Sequence, residues 1–219
     1  MPRKLSKGNN TFPPAQEASS STGAQGELPP WLNDGLPLPK LIVLDLDYTL
    51  WPFYSDIHVA TPIRALNYAT LSDRNGEHFS LYRDVPHILQ LLSSTANVKL
   101  AVASKSPVGD LCRDILKQLR LPPSLDAEDG KSKDRKGKKV IEVFDGVLEI
   151  YEGTKLRHFD VIARRTGVPY KEMLFFDDER PNLEVEKLGV TMRLIGNKGL
   201  TWDELDRGIK KWRANRGIA

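Results

Sequence analysis

The chain has 219 residues, of which 40% are hydrophobic and 28% charged, and its formal net charge is +3. This length and balance are typical of one globular domain with extensions. The single cysteine, Cys112, excludes an intramolecular disulfide, and with only four histidines beside it no zinc-binding pattern is present. We therefore expect a reducing compartment, the cytoplasm or nucleus. No apolar run approaches the roughly 20 residues of a membrane span, and the modest charge requires no nucleic-acid partner.

Residues 1–38 are rich in Ser, Pro, Gly, Asn and Gln and show no sustained apolar period. Such a segment buries too little apolar surface to compensate for the entropy lost on ordering. The composition predicts a disordered tail over residues 1–38, followed by one domain over residues 39–219.

The first strong structural signal is the apolar run Leu41–Leu44, the pattern of a strand buried on both faces of a parallel sheet. The run ends in Asp45, and Asp47 and Thr49 follow at alternate positions, which gives the pattern Asp-x-Asp-x-Thr. These acids are typical of a turn or helix cap as well as of a ligand site. Because ligands bind at the carboxyl edge of doubly wound sheets, we favour a functional role.

A turn signal at residues 73–76, Asp-Arg-Asn-Gly, separates Leu66–Leu71 from His78–Tyr82 and predicts a hairpin. A hairpin at this place could form a flap over the site, or its aromatic residues could pack beneath a loop. Both interpretations stay open.

Strand and helix patterns then alternate, which predicts a mostly parallel sheet between two helical layers, the three-layer doubly wound α/β class. The predicted strands are Val98–Ala103, Val140–Val143, Val147–Tyr151, Met173–Phe176 and Val190–Ile195. The predicted helices begin near Asp84, Ser106–Pro107, Thr154, Pro181 and Thr201.

The segment Pro122–Lys139 interrupts this alternation with six basic and four acidic residues and almost nothing apolar. We interpret it as a solvated, disordered insertion within the domain. A basic patch for phosphate or nucleic acid is the alternative, but the interspersed acids and the lack of aromatic residues argue against it.

Four groups of polar residues fall at the carboxyl ends of predicted strands or at a following helix start. They are Asp45 with Asp47, Ser104 with Lys105, Lys155, and Asp177 with Asp178. A parallel sheet would bring these groups into one pocket. Oxygen ligands without His or Cys favour a hard cation, and Mg²⁺ commonly uses one or two carboxylates together with a substrate phosphate.

Lys155 is informative because it lies in the first turn of a predicted helix, where the helix dipole disfavours a cation. An anionic neighbour should therefore accompany it. A phosphate group, the acid cluster, or both would satisfy this requirement.

These motifs, in this order over residues 40–200, resemble the haloacid-dehalogenase-like (HAD) superfamily. The strings Leu44–Phe53, Gly167–Pro169 and Phe175–Glu179 look like its magnesium-dependent phosphatase branch. The resemblance implies a compact Rossmann-like fold without a large cap domain, to which the predicted hairpin would add a small flap. It also implies a Mg²⁺-dependent phosphomonoester hydrolase.

By this resemblance, Asp45 is the nucleophile that forms an aspartyl-phosphate and also a metal ligand. Asp47 is the general acid and base, and its backbone carbonyl binds the metal. Ser104, Lys105 and Lys155 bind the phosphoryl group. The pair Asp177 and Asp178 completes the metal site, with Asp178 as the direct ligand and the reverse allocation left open.

The resemblance leaves the substrate open between phosphotyrosine on protein and a small sugar or glycated-amine phosphate. A phosphoserine-peptide phosphatase is a related alternative. A catalytically silent module that binds phosphorylated ligands is an alternative of a different class. We expect a monomer whose partner is its phosphorylated substrate.

Overall fold

The computed structural model describes residues 29–122 and 137–218. The strands are β1 (Leu41–Leu44), β2 (Arg64–Ala65), β3 (Thr70–Ser72), β4 (His78–Ser80), β5 (Lys99–Ser104), β6 (Leu148–Ile150), β7 (Met173–Asp177) and β8 (Thr191–Leu194). The α-helices are α1 (Ser55–His58), α2 (Val85–Ser94), α3 (Gly109–Gln118), α4 (Lys155–Thr166) and α5 (Trp202–Ala214). In the described ranges no helix is long and apolar enough to cross a bilayer.

Five strands form one parallel sheet in the order β6-β5-β1-β7-β8, with β1 at its centre. The chain builds β5 and β6 on one side of β1 and then β7 and β8 on the other. The strand order therefore reverses at β1, and in such sheets the carboxyl ends beside the reversal form the ligand crevice. The predicted fold class is confirmed.

Residues of β1 alternate between the two cores that flank the sheet. Ile42 and Leu44 belong to the core formed with α2, α3 and α5, whereas Leu41 and Val43 belong to the core formed with α4. Since all four residues are at most 1% exposed, the strand is buried on both faces. This burial explains why its sequence is a continuous apolar run rather than an alternating one.

The predicted hairpin forms a three-stranded antiparallel sheet of β2, β3 and β4. Phe79 of β4 is 9% exposed, and its ring meets that of Phe53 edge-on at 4.9 Å. Leu66 and Tyr68, both in the β2–β3 connection, are about half exposed. One face of the small sheet therefore packs on the domain.

Two predicted elements have a different conformation. Val140–Val143 is a 3₁₀ helix rather than a strand, because its three-residue spacing places Val140 and Val143 together on the buried side. The predicted helix after Pro181 is a 3₁₀ helix over Arg180–Leu188.

The helix predicted to begin at Ser106–Pro107 begins later, at Gly109, with Val108 at its N-cap position. The Ser106 hydroxyl accepts a hydrogen bond from the Val108 amide at 3.4 Å but also lies 2.8 Å from the hydroxyl of Ser55. Ser106 therefore belongs to a loop at the carboxyl end of β5.

The described residues include some that precede the predicted boundary at residue 38. Trp31 is 4% exposed in the core, and Arg213 of α5 donates hydrogen bonds to the carbonyls of Trp31, Leu36 and Pro37. Residues 29–38 are thus packed on α5, which corrects that part of the predicted tail. The remainder, residues 1–28, lies outside the described residues.

The ends of the predicted insertion are also ordered. The Leu121 amide donates to the carbonyl of Lys138 at 2.8 Å, and Arg120 forms an antiparallel bridge with Lys139. The disordered insertion was predicted from Pro122 to Lys139, and its residues 123–136 lie outside the described residues.

Candidate active site

The carboxyl ends of β1, β5 and β7 and the start of α4 surround a cavity of about 170 Å³. The residues that line it are Asp45, Asp47, Tyr54, Asp56, Ser104, Lys105, Ser106, Pro107, Lys155, Asp178 and Glu179. All six residues predicted for catalysis, phosphate binding or metal binding are in this set. Tertiary structure thus brings together residues up to 133 positions apart (Asp45 to Asp178).

A tight turn shapes the chain immediately after β1. The Leu46 carbonyl accepts hydrogen bonds from the amides of Thr49 and Leu50 at 3.1 and 2.8 Å, and Tyr48 has a left-handed backbone with φ 53°. The turn leaves Asp45 at the strand end, 7% exposed. Both Asp45 and Asp47 consequently face the same cavity.

Lys155, the first residue of α4, is 1% exposed and lies at the centre of the site. Its Nζ contacts Asp45 Oδ1 at 2.7 Å, Asp177 Oδ2 at 3.0 Å and the Ala103 carbonyl at 2.5 Å. Burial lowers the pKa of an ammonium, but the two carboxylates outweigh burial and raise the pKa of Lys155. The sequence predicted an anionic neighbour beside Lys155, and Asp45 and Asp177 provide it.

The site carries more acid than Lys155 can balance. Burial, opposed by Lys155 and reinforced by Asp177, raises the pKa of Asp45 to about 8. Burial and the neighbouring Asp177 raise the pKa of Asp178 to about 6. Burial and the repulsion between neighbouring carboxylates thus favour protonation of these acids, and a bound cation would oppose that tendency.

The carboxylates meet the requirements of a small hard cation. One oxygen each from Asp45, Asp177 and Asp178 lie within 4.8 Å of one another. All donors are carboxylate oxygens, the ligand type that Mg²⁺ prefers. These residues therefore fit a magnesium ion.

The two neighbouring acids at the end of β7 have different surroundings. Asp177 is fully buried, and its oxygens accept hydrogen bonds from the Glu179 amide at 2.7 Å and from Asn182 Nδ2 at 2.8 Å. With Lys155 also on Oδ2, the Asp177 carboxylate is occupied by protein donors. Asp178 is half-buried and lines the cavity.

Asp47 is held by two residues that sequence reasoning did not assign to the site. Trp51 Nε1 donates to Oδ1 at 2.7 Å, and the amide and hydroxyl of Ser55 donate to Oδ2 at 3.2 and 3.1 Å. Burial raises the pKa of Asp47, whereas the hydrogen bonds from Trp51 and Ser55 oppose that shift. The adjacent string Trp-Pro-Phe-Tyr was visible in the sequence, but nothing in its spacing identified these donors.

Ser104 is 2% exposed at the end of β5, and its hydroxyl accepts a hydrogen bond from the Ser106 amide at 3.3 Å. The ring nitrogens of His158 lie 2.8 Å from the Thr154 carbonyl and 3.0 Å from that of Ser104. His158, also missed from sequence, thereby ties α4 to this loop. Lys105 is more exposed and lies 3.8 Å from Glu179.

Comparison with known proteins agrees with this geometry. The family model described as Acid Phosphatase matches residues 37–215. Magnesium-dependent phosphatase 1 of Homo sapiens is 37% identical over 179 residues, which cover 79% of this chain and 86% of that protein. A HAD-like hydrolase superfamily protein of Schizosaccharomyces pombe is 38% identical over 158 residues, covering 71% of this chain and 85% of that protein.

Among solved structures, a HAD-superfamily hydrolase from Ehrlichia chaffeensis superposes with a TM-score of 0.48 at 11% identity, covering 84% of this chain and 99% of that one. The match of the family model over most of the domain, together with relatives above 30% identity, confirms the resemblance seen in the motifs. The chain belongs to the acid phosphatase family of the HAD superfamily.

Proposed function

We propose that this chain is a magnesium-dependent phosphatase that hydrolyses phosphate monoesters through an aspartyl-phosphate on Asp45. The observation that carries the proposal is the contact of Lys155 Nζ with both Asp45 and Asp177 in a cavity that Asp47, Ser104 and Asp178 also line. Phosphoryl transfer depends chiefly on positioning and charge neutralisation, and this cavity provides groups for both. Family membership supports the same reaction class.

In the first step, a carboxylate oxygen of Asp45 attacks phosphorus and the ester P–O bond breaks. Asp47 transfers its proton to the departing oxygen, so the product leaves as a neutral alcohol. Lys155 and the Ser104 hydroxyl bind phosphoryl oxygens, with Lys105 at the exposed side of the cavity. General acid catalysis of this type contributes about a hundredfold to ten-thousandfold.

In the second step, water attacks phosphorus and the bond between phosphorus and Asp45 breaks. Asp47, now ionised, takes a proton from that water, which regenerates both carboxyl groups and releases inorganic phosphate. A covalent intermediate divides one difficult hydrolysis into two displacements. The raised pKa of Asp47 suits a group that must both donate and accept a proton.

Mg²⁺ supplies charge neutralisation for the phosphoryl oxygens when bound. We assign Asp45, the backbone carbonyl of Asp47, and Asp178 as its protein ligands. The support for Asp178 over Asp177 is that protein donors already occupy both oxygens of Asp177, whereas Asp178 lines the cavity. Asp177 would instead orient Lys155, which its Oδ2 contacts at 3.0 Å.

The cavity bears on the substrate class through its lining and its rim. Most of its lining residues are charged or hydroxyl-bearing, as the recognition of a phosphoryl group requires. Tyr54, 40% exposed, lines the rim and makes edge contact with Tyr48 at 4.7 Å. An aromatic rim is compatible with phosphotyrosine on protein and with sugar or glycated-amine phosphates, whose rings and carbon chains can pack on it.

The test is hydrolysis of 4-nitrophenyl phosphate by the purified chain with and without Mg²⁺, beside Asp45→Asn. Asp160→Asn, at a solvent-exposed acid paired with Arg164, is the matched control. We expect Mg²⁺-dependent turnover in the wild type and the control and its loss in Asp45→Asn. A phosphate bound to wild-type protein and absent from Asp45→Asn in acid-quenched samples would identify the intermediate.

Phosphate binding without turnover under all metal conditions would contradict the proposal and support the silent binding module. A panel of phosphotyrosine peptides, phosphoserine peptides, and sugar and glycated-amine phosphates, compared by kcat/KM, would then identify the substrate class of an active enzyme.

A further inference from the structure

We infer that Trp51 and Ser55 are positioning residues, which hold the Asp47 carboxyl group in the orientation that delivers its proton to the leaving oxygen. The inference rests on the proposed function, in which Asp47 is the general acid. It adds two residues that act through Asp47 and do not contact the substrate.

The hydrogen bonds fix both oxygens of Asp47. The Trp51 indole donates to Oδ1 at 2.7 Å, while the amide and hydroxyl of Ser55 donate to Oδ2 at 3.2 and 3.1 Å. Rotation of the carboxyl group about either side-chain torsion would break at least one of these bonds. Three donors from two elements of the fold therefore select one orientation.

The Trp51 side chain is itself immobilised. It is fully buried, and its ring stacks on that of Phe53 with centroids 5.4 Å apart. The turn after β1, with Tyr48 in the left-handed region, brings Trp51 back beside Asp47. A tryptophan held in this manner places its N–H donor at a fixed point, which preorganises the acid.

Ser55 connects Asp47 to the loop that carries the phosphate-binding hydroxyl. Because the Ser55 hydroxyl donates its hydrogen to Asp47, its oxygen can accept one from Ser106, 2.8 Å away, or from the Cys112 thiol, 3.2 Å away. The Ser106 amide in turn donates to the Ser104 hydroxyl. One buried network thus links the general acid to the loop that binds the phosphoryl group.

Neither residue can act directly on substrate, because Trp51 and Ser55 are both 0% exposed. An alternative is that these bonds stabilise only the start of α1, where Ser55 is the first residue. The two roles make different predictions. Loss of acid positioning slows only reactions that need a protonated leaving group, whereas a distorted fold slows all substrates alike.

The experiment compares two monoesters with an aromatic ring, benzyl phosphate and 4-nitrophenyl phosphate, with Mg²⁺ present. Benzyl alcoholate is a poor leaving group that needs a proton, whereas 4-nitrophenolate leaves without one. The value of kcat/KM reports the steps up to release of this group, so it isolates the acid role of Asp47. Trp51→Phe and Ser55→Ala each remove a donor and retain most of the packing.

We expect each variant to lower kcat/KM for benzyl phosphate about tenfold and that for 4-nitrophenyl phosphate less than about twofold. The loss for benzyl phosphate should lie in kcat, with KM nearly unchanged. Trp212→Phe and Ser72→Ala are matched controls, since both residues are buried and donate hydrogen bonds to carbonyls, of Lys171 and Asp73 respectively. Both controls should leave the ratio of kcat/KM for benzyl phosphate to kcat/KM for 4-nitrophenyl phosphate unchanged.

Equal losses with both substrates, or none with either, would overturn the positioning role. If Trp51→Phe failed to fold, Ser55→Ala would decide, since its change in volume is smaller. A wild-type enzyme that hydrolysed neither ester would instead overturn the proposed function, a result distinguishable from failure of the positioning role.

Discussion

Two buried basic residues, Lys155 and Arg213, have surroundings that differ in one essential respect. Arg213, 6% exposed, donates to both oxygens of Asp34 and to the carbonyls of Trp31, Leu36 and Pro37. One acid balances one base, and hydrogen bonding with Arg213 lowers the pKa of Asp34.

Around Lys155, by contrast, two acids share one ammonium and Asp178 adds a third negative charge nearby. There the pKa of Asp45 is raised to about 8. In the Arg213 cluster the buried charges are paired, since one carboxylate and three carbonyls accept hydrogen bonds from one guanidinium. A site used for chemistry instead retains acid that only a metal or a protonated state can balance.

Replacement of the nucleophile should give the largest effect and the sharpest contrast. Asp45→Asn should reduce Mg²⁺-dependent hydrolysis at least about a thousandfold, because in the proposed mechanism the covalent intermediate forms on Asp45. In Mg²⁺-free buffer its melting temperature should equal or exceed that of the wild type, because Lys155 keeps Asp177 and the excess acid is reduced.

Asp34→Asn is the counterpart at the Arg213 cluster. It should lower the melting temperature while full activity remains at 25 °C. Scanning calorimetry combined with 4-nitrophenyl phosphate assays measures both quantities. A large loss of stability in Mg²⁺-free Asp45→Asn would show that Asp45 is needed for folding and would break the comparison.

Loss of the buried ammonium of Lys155 should lower both the stability of the protein and its activity. Lys155→Met leaves Asp45 and Asp177 buried without their cation, which should destabilise the protein by about 3–5 kcal/mol and lower kcat at least about a hundredfold. Arg213→Met should reduce stability alone. Urea unfolding and steady-state kinetics on both variants check this, and a fully active, folded Lys155→Met would remove Lys155 from the mechanism.

Replacement of the two acids at the end of β7, Asp177 and Asp178, should weaken Mg²⁺ binding to different extents. Asp178→Asn should weaken Mg²⁺ binding at least about a hundredfold, and Asp177→Asn about tenfold, because outer-shell partners contribute less than direct ligands. Titration calorimetry with Mg²⁺ measures both affinities. The opposite order would reverse the allocation of Asp177 and Asp178.

The smallest expected effect is the dependence of metal stabilisation on pH. Asp45 and Asp178 have folded-state pKa values raised to about 8 and about 6, so without metal their contribution to stability is present at low pH and is lost as pH rises through these values. Mg²⁺ competes with protons for the ionised carboxylates. Its stabilisation should therefore grow from pH 5.5 to pH 8.

At Mg²⁺ about a hundredfold above Kd the stabilisation should reach about 2.7 kcal/mol, or several degrees in melting temperature. Melting curves with MgCl₂ or EDTA at both pH values measure it. In Arg213→Met the stabilisation by Mg²⁺ should still grow with pH, because the Arg213 cluster lies outside the site. A shift independent of pH would argue against proton–metal competition at Asp45 and Asp178.

Much of the fold followed from local sequence. The apolar runs of β1 and β7 predicted buried parallel strands, and the polar start at Thr154 predicted α4. The exceptions are elements in which tertiary contacts override the local preference. Val140–Val143 has strand-forming residues, yet contacts with α3, including the hydrogen bond from the Val140 amide to the Leu119 carbonyl, select a 3₁₀ helix.

At the site, local patterns encode the strand ends and so predicted which acids, hydroxyl and lysines follow them. The partners of these residues come from tertiary packing: Lys155 contacts both Asp45 and Asp177, and Trp51 and Ser55 hold Asp47. The physical reason is that these contacts depend on the turn after β1 and on the packing of α3 and α4 around it. No single segment of sequence carries that information, since it arises only when distant elements pack together.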